Sequence, residues 1–202
     1  MSESERQIIH EEKIGRRDYM ITGEEREVVN GWLEKIGEIK QMLDIGNIEE
    51  LAKLADDGEY HRDVKQIVAE LEQEGLDEED KILLSISLWL LKEQRKDAKR
   101  WPIVKRFLKG GEFKLASFLD KEWVPNCLDS TVLIKVLAEQ FGVDGQVKTI
   151  KSPAGKFAHR YFGSNSGKFV DIWWGYDRAG LFQDEKKFKE TLKRDRHYCG
   201  TV

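Results

Sequence analysis

Asn126-Cys127-Leu128-Asp129-Ser130-Thr131-Val132-Leu133-Ile134-Lys135-Val136-Leu137-Ala138-Glu139-Gln140-Phe141-Gly142 opens polar, turns apolar and stops on a glycine. Leu128, Val132, Leu133, Ile134, Val136, Leu137 and Phe141 spread over more than one face, the pattern of a helix buried nearly all round. Other elements must cover both of its flanks. Downstream, residues 146–150 alternate weakly as a strand, and 157–162 and 168–174 alternate more strongly around the turn Gly163-Ser164-Asn165-Ser166-Gly167. Gly175 and Gly180 break the sheet, and a helix over about 184–193 closes the chain. The stretch therefore predicts a buried helix followed by a small antiparallel sheet.

Upstream the pattern is helical. Thr22-Gly23-Glu24-Glu25 reads as a capping box, and Val28, Val29, Trp32, Leu33, Ile36, Ile39, Met42 and Leu43 then recur at spacings of three and four up to Asp44. Gly46 breaks that helix, and Asn47 caps a short one through Leu54. A further helix over 59–74 stops at Gly75, and Asp77 starts the most apolar one, centred on Leu83 to Leu91 and ended before Trp101-Pro102. Shorter helices are expected over 103–108 and 113–119. Helices first and a sheet later make an α+β arrangement. Residues 1–22 are read as a flexible arm, 23–110 as a helical region and 111–202 as a core. No Gly/Ser-rich linker separates the last two, so they are expected to pack as one unit.

A chain of 202 residues buries a full core without staples, and its two cysteines, Cys127 and Cys199, imply neither a disulfide framework nor a zinc ribbon. A reducing, cytoplasmic setting fits this usage. Glu3, Glu5 and Arg6 have no apolar run behind them, so no signal peptide is expected. The longest apolar run, Ile82 to Leu91, is about half of the ~20 residues that span a bilayer, so no membrane association is expected. A net charge of −4 argues against a nucleic-acid partner. The acidic run Glu70, Glu72, Glu74, Asp77, Glu78, Glu79 and Asp80 and the basic run from Lys92 to Lys109 read as solvated helix ends and faces.

Chemistry concentrates between Cys127 and Asp171. A cysteine at a helix N-terminus has its thiolate favoured by unpaired amides and the helix dipole, and one of those amides can serve an oxyanion. Asn126 and Trp123 are the side-chain candidates for that oxyanion or substrate cleft. If Phe162 faces Lys168 across the turn, partners' numbers add to 330 and His159 lies directly opposite Asp171. A slip of one residue would put Asp171 on the other face. Trp173 shares the face of Asp171 by period two, beside the cleft. On spacing alone Cys127 is also readable as a small buried hydrophobe and His159 as an exposed ring. Cys, His and Asp are zinc-ligand types, but no fourth ligand is evident, so neither metal nor cofactor is expected. Cys199, beside His197 and Tyr198, reads as a surface thiol.

The run from Asn126 to Val143, a strand with Ala158-His159 and a strand with Val170-Asp171 resemble the core of the transglutaminase-like superfamily over about residues 123–175. The resemblance implies a papain-like core in which Cys127 is the nucleophile, His159 the base and Asp171 its orienter. Asp129 matches an acidic position often seen in the motif. Asn126 stands where the family often has glycine, and Arg160 and Tyr161 follow the histidine, so the flanking residues do not name the substrate. No calcium-binding acidic loop is recognised. The implied activity is thiol-dependent acyl transfer or hydrolysis of a peptide or glutamine-type amide through a thioester, with protease or amidase closer than cross-linker. The partner is then a peptide or protein substrate. The alternative is an inactive scaffold of the same fold whose N-terminal helices bind a protein partner.

Overall fold

The computed structural model describes residues 8–14, 17–22, 25–47, 49–51, 69, 73, 75–95, 113–114, 127–151, 158–171, 180–186 and 188. Their order is β1 (Ile8–Ile14), β2 (Arg17–Thr22), α1 (Arg26–Asp44), α2 (Glu78–Arg95), β3 (Phe113–Lys114), α3 (Cys127–Gln140), β4 (Gly145–Lys151), β5 (Ala158–Ser164), β6 (Phe169–Val170) and β7 (Leu181–Phe182). The chain is α+β, with a four-stranded antiparallel sheet in the order β4-β5-β6-β7. No helix among the described residues is long and apolar enough to cross a membrane.

The all-round apolar helix is covered on both flanks, as its pattern required. Val132, Leu133 and Val136 of α3 share one core with Ile36 of α1, Leu83 and Leu90 of α2, and Phe162, Val170 and Leu181 of the sheet. Each such side chain removed from water contributes about 1.5–3 kcal/mol, so α3 is strongly destabilised if either layer departs. Trp32 and Trp89, with ring centroids 5.1 Å apart, join α1 to α2. The residues between those inward-facing sheet positions point the other way. Tyr161, Phe169 and Phe182 form a second cluster with Phe188, whose ring centroid is 4.5 Å from that of Tyr161.

Helix ends follow the glycines. Gly46 (φ 66°) and Gly142 (φ 78°) take the left-handed conformation, and Asn47 N–H to Met42 O and Val143 N–H to Ala138 O, each 2.9 Å, close Schellman motifs. Asn47 Oδ1 accepts from Glu50 N–H at 3.3 Å, the cap expected for the next helix. The helix starts later than the Thr22 capping box implied. Thr22 belongs to β2, and Glu25 holds the cap position of α1 with no side-chain cap bond.

The arm expected over 1–22 contains a hairpin instead. β1 and β2 pair antiparallel with Lys13 in register with Asp18, and β2 pairs in parallel with β3, where a helix was expected to begin. Residues of mixed charge can face one another across a ladder without showing an apolar alternation, and a parallel partner some ninety positions away leaves no local trace. Of the helix expected over 59–74, residues 69 and 73 are described and are helical, while the helix expected over 103–108, the remainder of that expected over 113–119 and the basic run beyond Arg95 lie outside the described residues.

The acidic run is not uniformly solvated. Asp77 caps α2 through Asp80 N–H at 2.9 Å, and Asp80 Oδ2 accepts from Asp77 N–H at 3.1 Å. Asp80 is 2% exposed, and Lys168 Nζ, at the sheet's turn, lies 2.9 Å from its Oδ1 and also bonds Asp77. Gln183 Nε2 donates to Asp80 Oδ2 at 3.2 Å and to Gly75 O at 2.9 Å. This latch joins the start of α2 to β6 and β7. Burial would lower the Lys168 pKa, but its two carboxylate partners raise it on balance, and Lys168 holds the Asp77 carboxyl below its ordinary range. Lys168→Met, which strands a buried carboxylate, is expected to cost about 3–5 kcal/mol in urea unfolding. Adding Asp80→Asn should recover much of that loss. A cost below ~1 kcal/mol for Lys168→Met would mean that the pair behaves as a surface bridge.

Candidate active site

Cys127 is the first residue of α3, half-buried, with a free thiol. The amides of that first turn have no carbonyl of their own helix to bond, so they surround the sulfur's end of the helix with donors. His159 lies on β5 and Asp171 directly after β6. His159 Nε2 is 2.5 Å from Asp171 Oδ2, with the histidine side chain 16% exposed and the carboxylate 1%. Cys127 lies close enough to the ring to act on its titration. With Nε2 engaged by the carboxylate, Nδ1 is the nitrogen left for the sulfur.

The contact exists in a register other than the expected one. Phe162 pairs with Val170 and Gly163 with Phe169, so partners' numbers add to 332 rather than 330. Asp171 is therefore diagonal to His159 and not directly across from it. A shift of two keeps every side chain on its face, and a diagonal neighbour remains within reach of long side chains. The cause lies in Gly163, expected to belong to the turn. It is a strand residue, in register with Gln146 on one side and Phe169 on the other, with the flexible end of Lys148 lying against it. The loop is only Asn165, Ser166 and Gly167, closed by Ser164 N–H to Lys168 O at 2.8 Å with Gly167 at φ 96°.

Two supports escaped the sequence reading. Asp171 N–H donates to Gly180 O at 2.8 Å, and Gly180, at φ 79°, leaves no room for a side chain: a Cβ would lie 2.7 Å from Ser87 Oγ and 3.1 Å from Asp171 O. Gly180 looked like a sheet breaker, but it lets α2 approach the backbone beneath the carboxylate. Thr131, one turn past Cys127 and 3% exposed, places its Oγ1 at 2.6 Å from Cys127 O and 3.1 Å from Arg160 O. The hydroxyls of Ser130 and Thr131 at the head of the apolar run were the available signal, since a buried hydroxyl needs an acceptor. Asn126, Trp123, Trp173 and Cys199 lie outside the described residues, as does the side chain of Asp129.

Burial pushes the His159 imidazole down, but hydrogen bonds to Asp171 and to Cys127 outweigh it and raise its pKa from 6.5 to about 9. At neutral pH the ring is an imidazolium between a carboxylate and a sulfur. No group of three or more His, Cys, Asp or Glu side chains suited to hold a metal ion occurs among the described residues. Compared with family models, curated proteins and solved structures, the chain matches none.

Two measurements follow from this geometry. A histidine whose pKa is raised from 6.5 unfolded to about 9 folded stabilises the fold fully below 6.5 and loses that contribution as pH rises through about 9. The difference in unfolding free energy between the wild type and His159→Gln should therefore shrink by up to roughly 3 kcal/mol between pH 6 and pH 10. A pH-independent difference would contradict the assignment. Gly180→Ala, strained at positive φ and crowding Ser87 and Asp171, should cost about 1–3 kcal/mol and lower the His159 pKa as read by ring NMR. An unchanged titration would show that the Gly180 carbonyl does not set the carboxylate.

Proposed function

We propose that the protein is a thiol-dependent enzyme with a transglutaminase-like core that transfers or hydrolyses the acyl group of a peptide or glutamine-type amide. The observation that carries this reading is a single imidazole that bonds Asp171, at 2.5 Å, and whose titration Cys127 also raises. An imidazolium beside a sulfur favours the thiolate, which is the nucleophilic form.

In the proposed reaction the Cys127 thiolate attacks the amide carbonyl carbon, and the carbonyl electrons move onto oxygen. Amides of the first turn of α3 receive that oxyanion, with Asn126 and Trp123 as further proposed donors and Trp173 at the cleft. As the C–N bond breaks, His159 gives its proton to the leaving amine, and a thioester and a neutral ring remain. The neutral ring then takes a proton from water or an acceptor amine attacking the thioester. The thiolate leaves and the imidazolium is restored. Asp171 fixes the ring's orientation and aim. Such a thiol works in a reducing compartment, and the cytoplasm is the proposed one.

Iodoacetamide labelling read residue by residue tests the pair without a known substrate. At pH 7 an ordinary thiol is only a few per cent thiolate, so Cys127 in the wild type should label about tenfold faster than Cys127 in His159→Ala. It should also outpace Cys199. Labelling no faster than in His159→Ala would overturn the catalytic reading in favour of an inactive scaffold.

A further inference from the structure

The elements that carry the sulfur and the imidazole come from different layers of the fold, and their relative position sets whether the two side chains meet. Thr131 spans that boundary. Its hydroxyl reaches the carbonyl of Cys127 at 2.6 Å, and at 3.1 Å it reaches the carbonyl of Arg160, the residue that follows His159. Threonine often bonds back to the carbonyl one turn earlier in its own helix, and that habit alone carries no function. The second acceptor makes the difference, because it belongs to β5 and is covalently adjacent to the histidine. The hydroxyl is also buried beside the wholly apolar Val132 and Leu133, where valine would pack as well and an unbonded hydroxyl would be costly.

We infer that Thr131 is a positioning residue whose hydroxyl couples the first turn of α3 to β5 and so holds Cys127 against His159. This inference rests on the proposed pairing of those two side chains. The Cys127 carbonyl belongs to the same helix and keeps the hydroxyl anchored to the first turn, so a slide of α3 along β5 stretches the contact to Arg160 O alone. That contact therefore resists displacement of the helix start relative to the strand that carries the ring.

The test compares Thr131→Ser with Thr131→Ala in a chain carrying Cys199→Ser. Both variants remove the same methyl group, leave similar packing defects and differ by the hydroxyl alone. The readout is the ratio of the iodoacetamide rate at Cys127 at pH 7 to that at pH 9.5, since a general loosening raises access at both pH values and leaves the ratio alone. Thr131→Ser is expected to keep the parent's ratio within about twofold, and Thr131→Ala to fall about tenfold toward the value in His159→Ala. Equal ratios in Thr131→Ser and Thr131→Ala, with the parent still well above His159→Ala, would overturn the role of Thr131 and leave the proposed pair standing. A parent no better than His159→Ala would remove the pair, and this inference with it.

Discussion

A helix that is apolar on nearly every side can exist in water only between two layers. α3 satisfies that constraint by resting on α1 and α2 on one flank and on Phe162, Val170 and Leu181 of the sheet on the other. The N-terminal helices are thus one wall of the compartment around the helix that carries Cys127. Because α3 is clamped along its length, its free end is defined in space, and that end is where the sulfur sits. A residue at a fixed helix start with a strand passing beside it is well placed to meet a ring on that strand.

Two buried ionic arrangements finish the structure in different ways. Lys168 with Asp77 and Asp80 is a latch, because it ties the turn between β5 and β6 to the cap of α2, far along the sequence. His159 with Asp171 instead joins β5 to the residue after β6, with the carboxylate 1% exposed. Removing either partner of a buried pair leaves an uncompensated charge, so the Lys168 latch fixes how α2 meets the sheet, while His159 and Asp171 fix β5 against the end of β6. Gly180 connects the two ideas. It brings Ser87 of α2 against the backbone that holds Asp171, so the helical layer reaches the site through a glycine.

The sequence made α3 legible from its first residue to its glycine stop, because burial on all sides writes itself into every position. It also showed that His159 and Asp171 share a face, since parity survives any slip of two. It did not show which register the hairpin takes. Gly163 resembles a turn residue in sequence, and only its pairing with Gln146 and Phe169 reveals it as a strand position. Asp80 looked like one more charge in a solvated run until Lys168 and Gln183, from far along the chain, arrived beside it. The β1–β2 hairpin and its parallel partner β3 were hidden for the same reason.

What the sequence determined by itself is therefore local or periodic: the buried helix with cysteine at its head, the capping asparagine and aspartate, the glycine stops, and the common face of histidine and aspartate. Each is set by the residues within a turn or a strand, where side-chain pattern and backbone freedom act directly. Tertiary structure alone decided the pairing register, the burial of Asp80, the need for glycine at position 180, and the reach of the Thr131 hydroxyl to Arg160. These depend on groups distant in the chain meeting at distances of a few ångströms, and no local pattern records which distant group will arrive.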